Sequence, residues 1–155
     1  MKASIFIPHR QKLGIPMEEL LELRELLIHG EVEKALLLVD DLEEMGKKGI
    51  SNNIRSYAKV LLLHLIKQQV EKRTTKSWDT SIRNAVREIL DINARPKGRG
   101  NYLNNEELYE VICSAYNSAI DAASLECFEG IYEVKQIQEM INSDVIESAY
   151  QLVKK

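Results

Sequence analysis

The chain has 155 residues, 45% of them apolar and 29% charged. That size and balance suit one folded domain and exclude a disordered or fibrous chain. The net charge of −3 is unevenly spread: residues 16–44 carry ten acids against two bases, 67–99 nine bases against four acids, and 100–155 ten acids against three bases.

Seven Gly and three Pro leave long uninterrupted stretches rich in Leu, Glu, Lys, Ile and Ala, a mixture that favours helices. Residues 1–15 are expected to form an irregular or extended arm. Met1 to Ile7 opens like an export signal, but Pro8, His9 and Arg10 cut the apolar run short. Pro16 suits the first turn of a helix, and Glu18, Glu19 and Glu22 follow at the positive end of its dipole. Leu20, Leu23 and Leu27 then recur at helical spacing until His29-Gly30 closes the element.

A second helix is predicted from Val32 through Leu42, stopped by Met45-Gly46-Lys47-Lys48-Gly49. The hairpin around Leu26–Leu36 resembles a solenoid unit, but no second copy follows at a 34-residue period, so a repeat architecture is not expected. Ser51 is the predicted N-cap of a third helix running to about Glu71. This helix is apolar nearly all round (Ile54, Ala58, Leu61, Leu62, Leu63, Leu65), which places it at the centre of a bundle. Ser77 is expected to cap a fourth helix bearing Trp78, Ile82, Ala85, Val86 and Ile89.

Asn93 to Asn101, with its Pro, Gly and Asn, reads as an exposed loop. Asn104 and Glu107 have capping-box spacing for a long fifth helix through Leu108, Val111, Ile112, Ala115, Ala119 and Ala123. A short helix around Val134, Ile137 and Ile141 follows, then a last one from a cap at Ser143 through Val145, Ala149 and Val153. The predicted fold is therefore all-α, a single compact bundle of five to seven helices over residues 16–155.

The longest unbroken apolar run, Ala35 to Val39, is far below the ~20 residues of a membrane span, so a soluble protein without a membrane partner is expected. Cys113 and Cys127 lie fourteen positions apart in one helical stretch. At ~1.5 Å per residue that is too far for a disulfide. Reduced, partly buried thiols and a cytoplasmic location follow.

The short signatures of nucleotide, zinc and hydrolase chemistry are absent, and His9, His29 and His64 have no zinc spacing; no metal and no cofactor are expected. Chemistry assembled from distant residues remains open. His64, between Leu63 and Leu65, is either a general base or a core imidazole bonded to a neighbouring helix. Glu43 shares a helix face with Asp40 and Glu44, a group that binds cations or simply faces solvent. Trp78 with Arg83 and Arg87 either clamps a base or phosphate, or anchors the core through the ring. Arg95, Lys97 and Arg99, with Tyr102 close by, make a basic loop.

Three blocks carry a family resemblance: Leu38-Val39-Asp40-Asp41-Leu42-Glu43-Glu44-Met45-Gly46, Leu61-Leu62-Leu63-His64-Leu65-Ile66-Lys67, and Ser77-Trp78-Asp79-Thr80-Ser81-Ile82-Arg83. In order and spacing they resemble the family called domain of unknown function twenty-nine, over about residues 20–92, with additional helices over 104–153. The resemblance implies an all-helical fold and a cyanobacterial source, and points to Glu43, His64, Trp78 and Arg83 as the family-like positions; it implies no reaction. Three functional readings stand. The first is a non-enzymatic module whose helical face binds another protein or a copy of itself. The second is a small hydrolase or nuclease using His64, Glu43 and Arg83, metal- or His-dependent. The third is a nucleic-acid binder using the basic stretch 67–99.

Overall fold

The computed structural model describes residues 17–142 and 144–155. The expected arm at 1–15, the role of Pro16 and the cap at Ser143 lie outside the described residues. Among the described residues there are six α-helices and no strand: α1 (Met17–Ile28), α2 (Val32–Glu71), α3 (Lys76–Asn93), α4 (Asn105–Glu126), α5 (Val134–Met140) and α6 (Val145–Val153). They fall into two units, one ending at Ile50 and the other covering Ser51–Lys155.

In the first unit, α1 closes on a Gly. Gly30 takes φ +74°, the Glu31 N–H donates to the Leu26 carbonyl at 2.9 Å and the Gly30 N–H to the Leu27 carbonyl at 3.1 Å. That pair of bonds is a Schellman cap, which uses the left-handed residue to satisfy the last carbonyls. Ala35, Leu42 and Ile50 are buried, whereas Leu20, Leu21, Leu27, Ile28, Leu36 and Leu37 are exposed.

The break expected at Met45–Gly49 does not exist. α2 runs unbroken for 40 residues, and Ser51, expected as a cap, lies within it. Glycine in a helix interior costs only ~1 kcal/mol relative to Ala, and the strong helix formers on both sides outweigh that.

The second unit is a helical bundle built around the C-terminal half of α2. Ile54, Ala58, Leu61, Leu62 and Ile66 have no exposed surface. The apolar wrap read in the sequence is thus the interior of the bundle, with Leu65 only half-buried. Arg55 Nε donates to Ser114 Oγ at 2.7 Å and Lys67 Nζ to Glu126 Oε1 at 2.8 Å. Both pairs are separated by 59 positions, so α2 and α4 run parallel in one register. The alanines of α4 permit the close approach: Ala115, Ala119 and Ala123 are buried along one line. α4 packs in turn against α5, α6 and the turn Cys127–Gly130, and α3 packs against α6. Tyr109 and Tyr150 meet edge to face at 5.2 Å between α4 and α6.

Caps decide where the helices start. α3 begins after Thr75, whose Oγ1 accepts the Trp78 N–H at 3.0 Å, two residues before the expected cap at Ser77. Asn104 and Glu107 form the predicted capping box, at 2.8 and 2.9 Å. Asp144 caps α6 by accepting the Glu147 N–H at 3.1 Å.

An unbroken α2 has a direct consequence at Gly46, where an added Cβ meets nothing within 4 Å. Gly46→Ala is expected to raise stability by about 0.5–1 kcal/mol, seen as a higher urea midpoint. A lowered midpoint would contradict the continuous helix. Gly130→Ala should do the reverse, because its φ is +78° and a Cβ would stand 3.1 Å from the Leu125 carbonyl oxygen.

Candidate functional site

The residues singled out in the sequence separate into three neighbourhoods. Glu43 is exposed on the part of α2 in the first unit. His64 lies twenty-one positions further along the same helix, in the second unit, so no turn of α2 carries both. His64 is half-buried, and its Nδ1 donates to the Val60 carbonyl at 2.9 Å, a bond within its own helix and not to a neighbour. That bond places the proton on Nδ1, because a carbonyl can only accept. Among the described residues His64 forms no ion pair, and no three of His, Cys, Asp and Glu are grouped to hold a metal ion.

The second neighbourhood is the corner where α2 turns into α3. Lys72 takes φ +53° there, which reverses the chain within four residues. Trp78 is half-buried, with Lys67 Nζ 4.8 Å and the Arg73 guanidinium 4.7 Å from its ring centroid. Gln68 Nε2 donates to Thr74 Oγ1 at 2.8 Å and to Asp79 Oδ1 at 3.2 Å, and Thr74 Oγ1 donates to the same carboxylate at 2.7 Å. Lys67 continues the network to Glu126 on α4, and Arg73 pairs with Glu71 at 2.8 Å. Trp78 is therefore the hinge pin of a polar clasp that ties α2, α3 and α4 together. Lys67 and Arg73, the two cations over its ring, were not singled out as site residues from the sequence. Only the sharp turn at Lys72 brings both onto the ring.

Cys127 lies beneath this clasp, fully buried. Burial first, then the negative Glu71, push its thiol up to about 11, with Lys67 opposing the shift. Such a thiol is protonated and unreactive at neutral pH.

The third neighbourhood is basic. Arg83 and Arg87 are exposed on α3, and Arg83 donates to Thr80 Oγ1 at 3.3 Å. Arg95, Lys97 and Arg99 are exposed on the loop after α3. Trp78 is thus held by Lys67 and Arg73, while Arg83 and Arg87 point to solvent further along the helix. The clamp of Trp78 with these two arginines is not assembled.

The family described as Domain of unknown function DUF29 matches residues 31–148, three-quarters of the chain. The chain belongs to this DUF29 family. The match begins in the loop before α2 and reaches into α6, so it spans α4 and α5 as well as the three blocks that carried the resemblance. No characterised protein and no solved structure matches the chain. Within this DUF29 chain no helix of the described residues is long and apolar enough to cross a membrane.

The buried thiol supplies a check on this corner. Cys113, half-exposed, is expected to react with a thiol reagent in the native protein at neutral pH, and Cys127 only on unfolding. The Cys127 thiol is raised in the fold, so above pH ~9 the unfolded chain releases its proton first and stability falls until about 11. Cys127→Ala should flatten that alkaline decline in urea midpoints. An equal decline in both proteins would place the thiol outside the core.

Proposed function

We propose that this DUF29 protein is a non-enzymatic, cytoplasmic interaction module that holds a basic amphipathic helix of another protein against its N-terminal helices. One observation carries the reading. Between Met17 and Ile50, nine large apolar side chains are exposed, among them Ile28 at 66% and Leu37 at 66%. A water-soluble surface does not keep so many large apolar groups wet in one short segment without a use for them.

Their arrangement supports a helical ligand. At about 100° per residue, Met17, Leu20, Leu21, Leu27 and Ile28 fall within a stripe of about 120° on α1, interrupted by the exposed Arg24. Glu18, Glu22 and Glu25 lie along one flank of that stripe. Near the turn, Val32 and Leu36 on α2 are exposed as well. Residues 17–50 carry ten acids and four bases, a charge of −6. Pairing this surface with its own copy would bring two such charges together, whereas a basic helix gains from them. The two free thiols support a reducing compartment.

A synthetic helix with Leu on one face and Lys on the other tests the proposal by calorimetric titration. One-to-one binding is expected, with at least a tenfold loss in Leu20→Ser/Leu27→Ser, whose folding should be unchanged because both side chains are exposed. Absence of binding, or equal binding to the Leu/Glu counterpart, would end the reading. A dimer in sedimentation that the same two substitutions dissolve would replace the foreign helix by a second copy.

A further inference from the structure

We infer that the outer row of α3 and the loop following it form a binding surface for the phosphate backbone of a nucleic acid. This surface lies wholly in the second unit and does not depend on the apolar segment described above. Lys76, Arg83 and Arg87 stand seven and four positions apart and are all exposed, so they share one side of α3. At ~1.5 Å per residue they are spaced by about 10 and 6 Å along the axis. Ala85, Ile89 and Ile92 on the other side are buried, which fixes the row toward solvent.

The row continues into a loop with a defined shape. Ala94 bridges to Asn101, the Arg95 N–H donates to the Gly100 carbonyl at 2.8 Å, and the Tyr102 N–H donates to the Asn93 carbonyl at 2.8 Å. The buried Asn93 side chain clamps the base of the loop from within: its Oδ1 accepts the Leu103 N–H at 2.8 Å and its Nδ2 donates to the Leu103 carbonyl at 3.3 Å. Lys97, Gly98 and Gly100 take φ of 59°, 66° and 95°. This short, internally bonded loop carries Arg95, Lys97 and Arg99, all exposed. None of Lys76, Arg87, Arg95, Lys97 or Arg99 has a carboxylate within ion-pair distance among the described residues. The acids of this stretch are Asp79, held in the Trp78 clasp, half-buried Glu88 and exposed Asp91, so six bases face three acids over residues 76–99.

The surroundings distinguish a nucleic acid from an acidic protein. Protein partners need a desolvated apolar or aromatic centre, whereas nucleic-acid interfaces are polar and positive. From Lys76 to Asn101 no large apolar side chain is exposed. The first one met is Tyr102, at 41%, a ring beside the basic loop that can stack on a base. Four of the six cations are Arg, whose planar fork suits phosphate oxygens.

Fluorescence polarisation of the full chain with labelled oligothymidylate and with a labelled DNA duplex tests this. Binding is expected at low salt. With about five phosphate contacts, affinity should fall about a hundredfold for the single strand between ~50 and ~200 mM salt, and several hundredfold for the duplex. The tighter of the two identifies the source of the phosphates. Arg87→Glu/Lys97→Glu/Arg99→Glu should weaken binding at least tenfold with an unchanged helical signal. Lys59→Glu/Lys135→Glu, exposed cations elsewhere on the unit, should leave it unaltered. No polarisation change at low salt, equal loss in both variants, or displacement by polyglutamate as effective as by unlabelled nucleic acid would overturn the inference.

Discussion

The interior face of α2 sets the terms for the second unit. Ile54, Ala58, Leu61, Leu62 and Ile66 lose all contact with water. Each large aliphatic chain among them contributes roughly 1.5–3 kcal/mol by burial. Such gains require apolar surface on nearly every side of one helix, and α4 supplies it by running parallel to α2 with its alanine line turned inward. The parallel direction demands that the chain cross back in between, which is what α3 does after the four-residue turn at Lys72–Thr75. The polar clasp at that corner then follows from geometry: the turn brings the end of α2 against the start of α3, so Lys67, Gln68 and Arg73 meet Trp78 and Asp79.

That clasp changes how the family-like positions are understood. Trp78 is stacked at the corner of α2 and α3, the imidazole of His64 is bonded within its own helix, and Cys127 is kept protonated by burial next to Glu71. Of these residues Trp78 is the one that joins helices. What the molecule offers to the outside is chemically different in its two units. The first presents apolar side chains among acids, and the second presents a polar row of cations on α3 and its loop. A ligand matched to one is mismatched to the other.

Much of this could be read in the residues, and the misses have definite causes. The all-helical class, the buried leucine-rich segment, the Gly30 cap, the Asn104–Glu107 box and the loop, which starts at Ala94 because Asn93 is the buried last residue of α3, all rest on local rules, and all are present. Two glycines and two lysines at 46–49 imitate a stop signal, yet a helix tolerates isolated glycines when strong formers continue on both sides. Thr75 takes the capping role from Ser77 because it sits where the chain is extended after the turn, a position that side-chain chemistry alone does not distinguish. His64 bonds to its own helix because the carbonyl four residues earlier is always within reach, whereas a bond to a neighbour depends on which helix arrives.

The sequence alone determined the helices, the interior segment and the regional charges, since periodicity, capping chemistry and composition act over a few residues. Only the tertiary structure decided that α2 and α4 are parallel, that Lys67 and Arg73 close on Trp78, and that Lys76, Arg87, Arg95, Lys97 and Arg99 have no carboxylate at ion-pair distance among the described residues. Those outcomes depend on contacts between residues up to 59 positions apart, and no local preference along the chain carries that information.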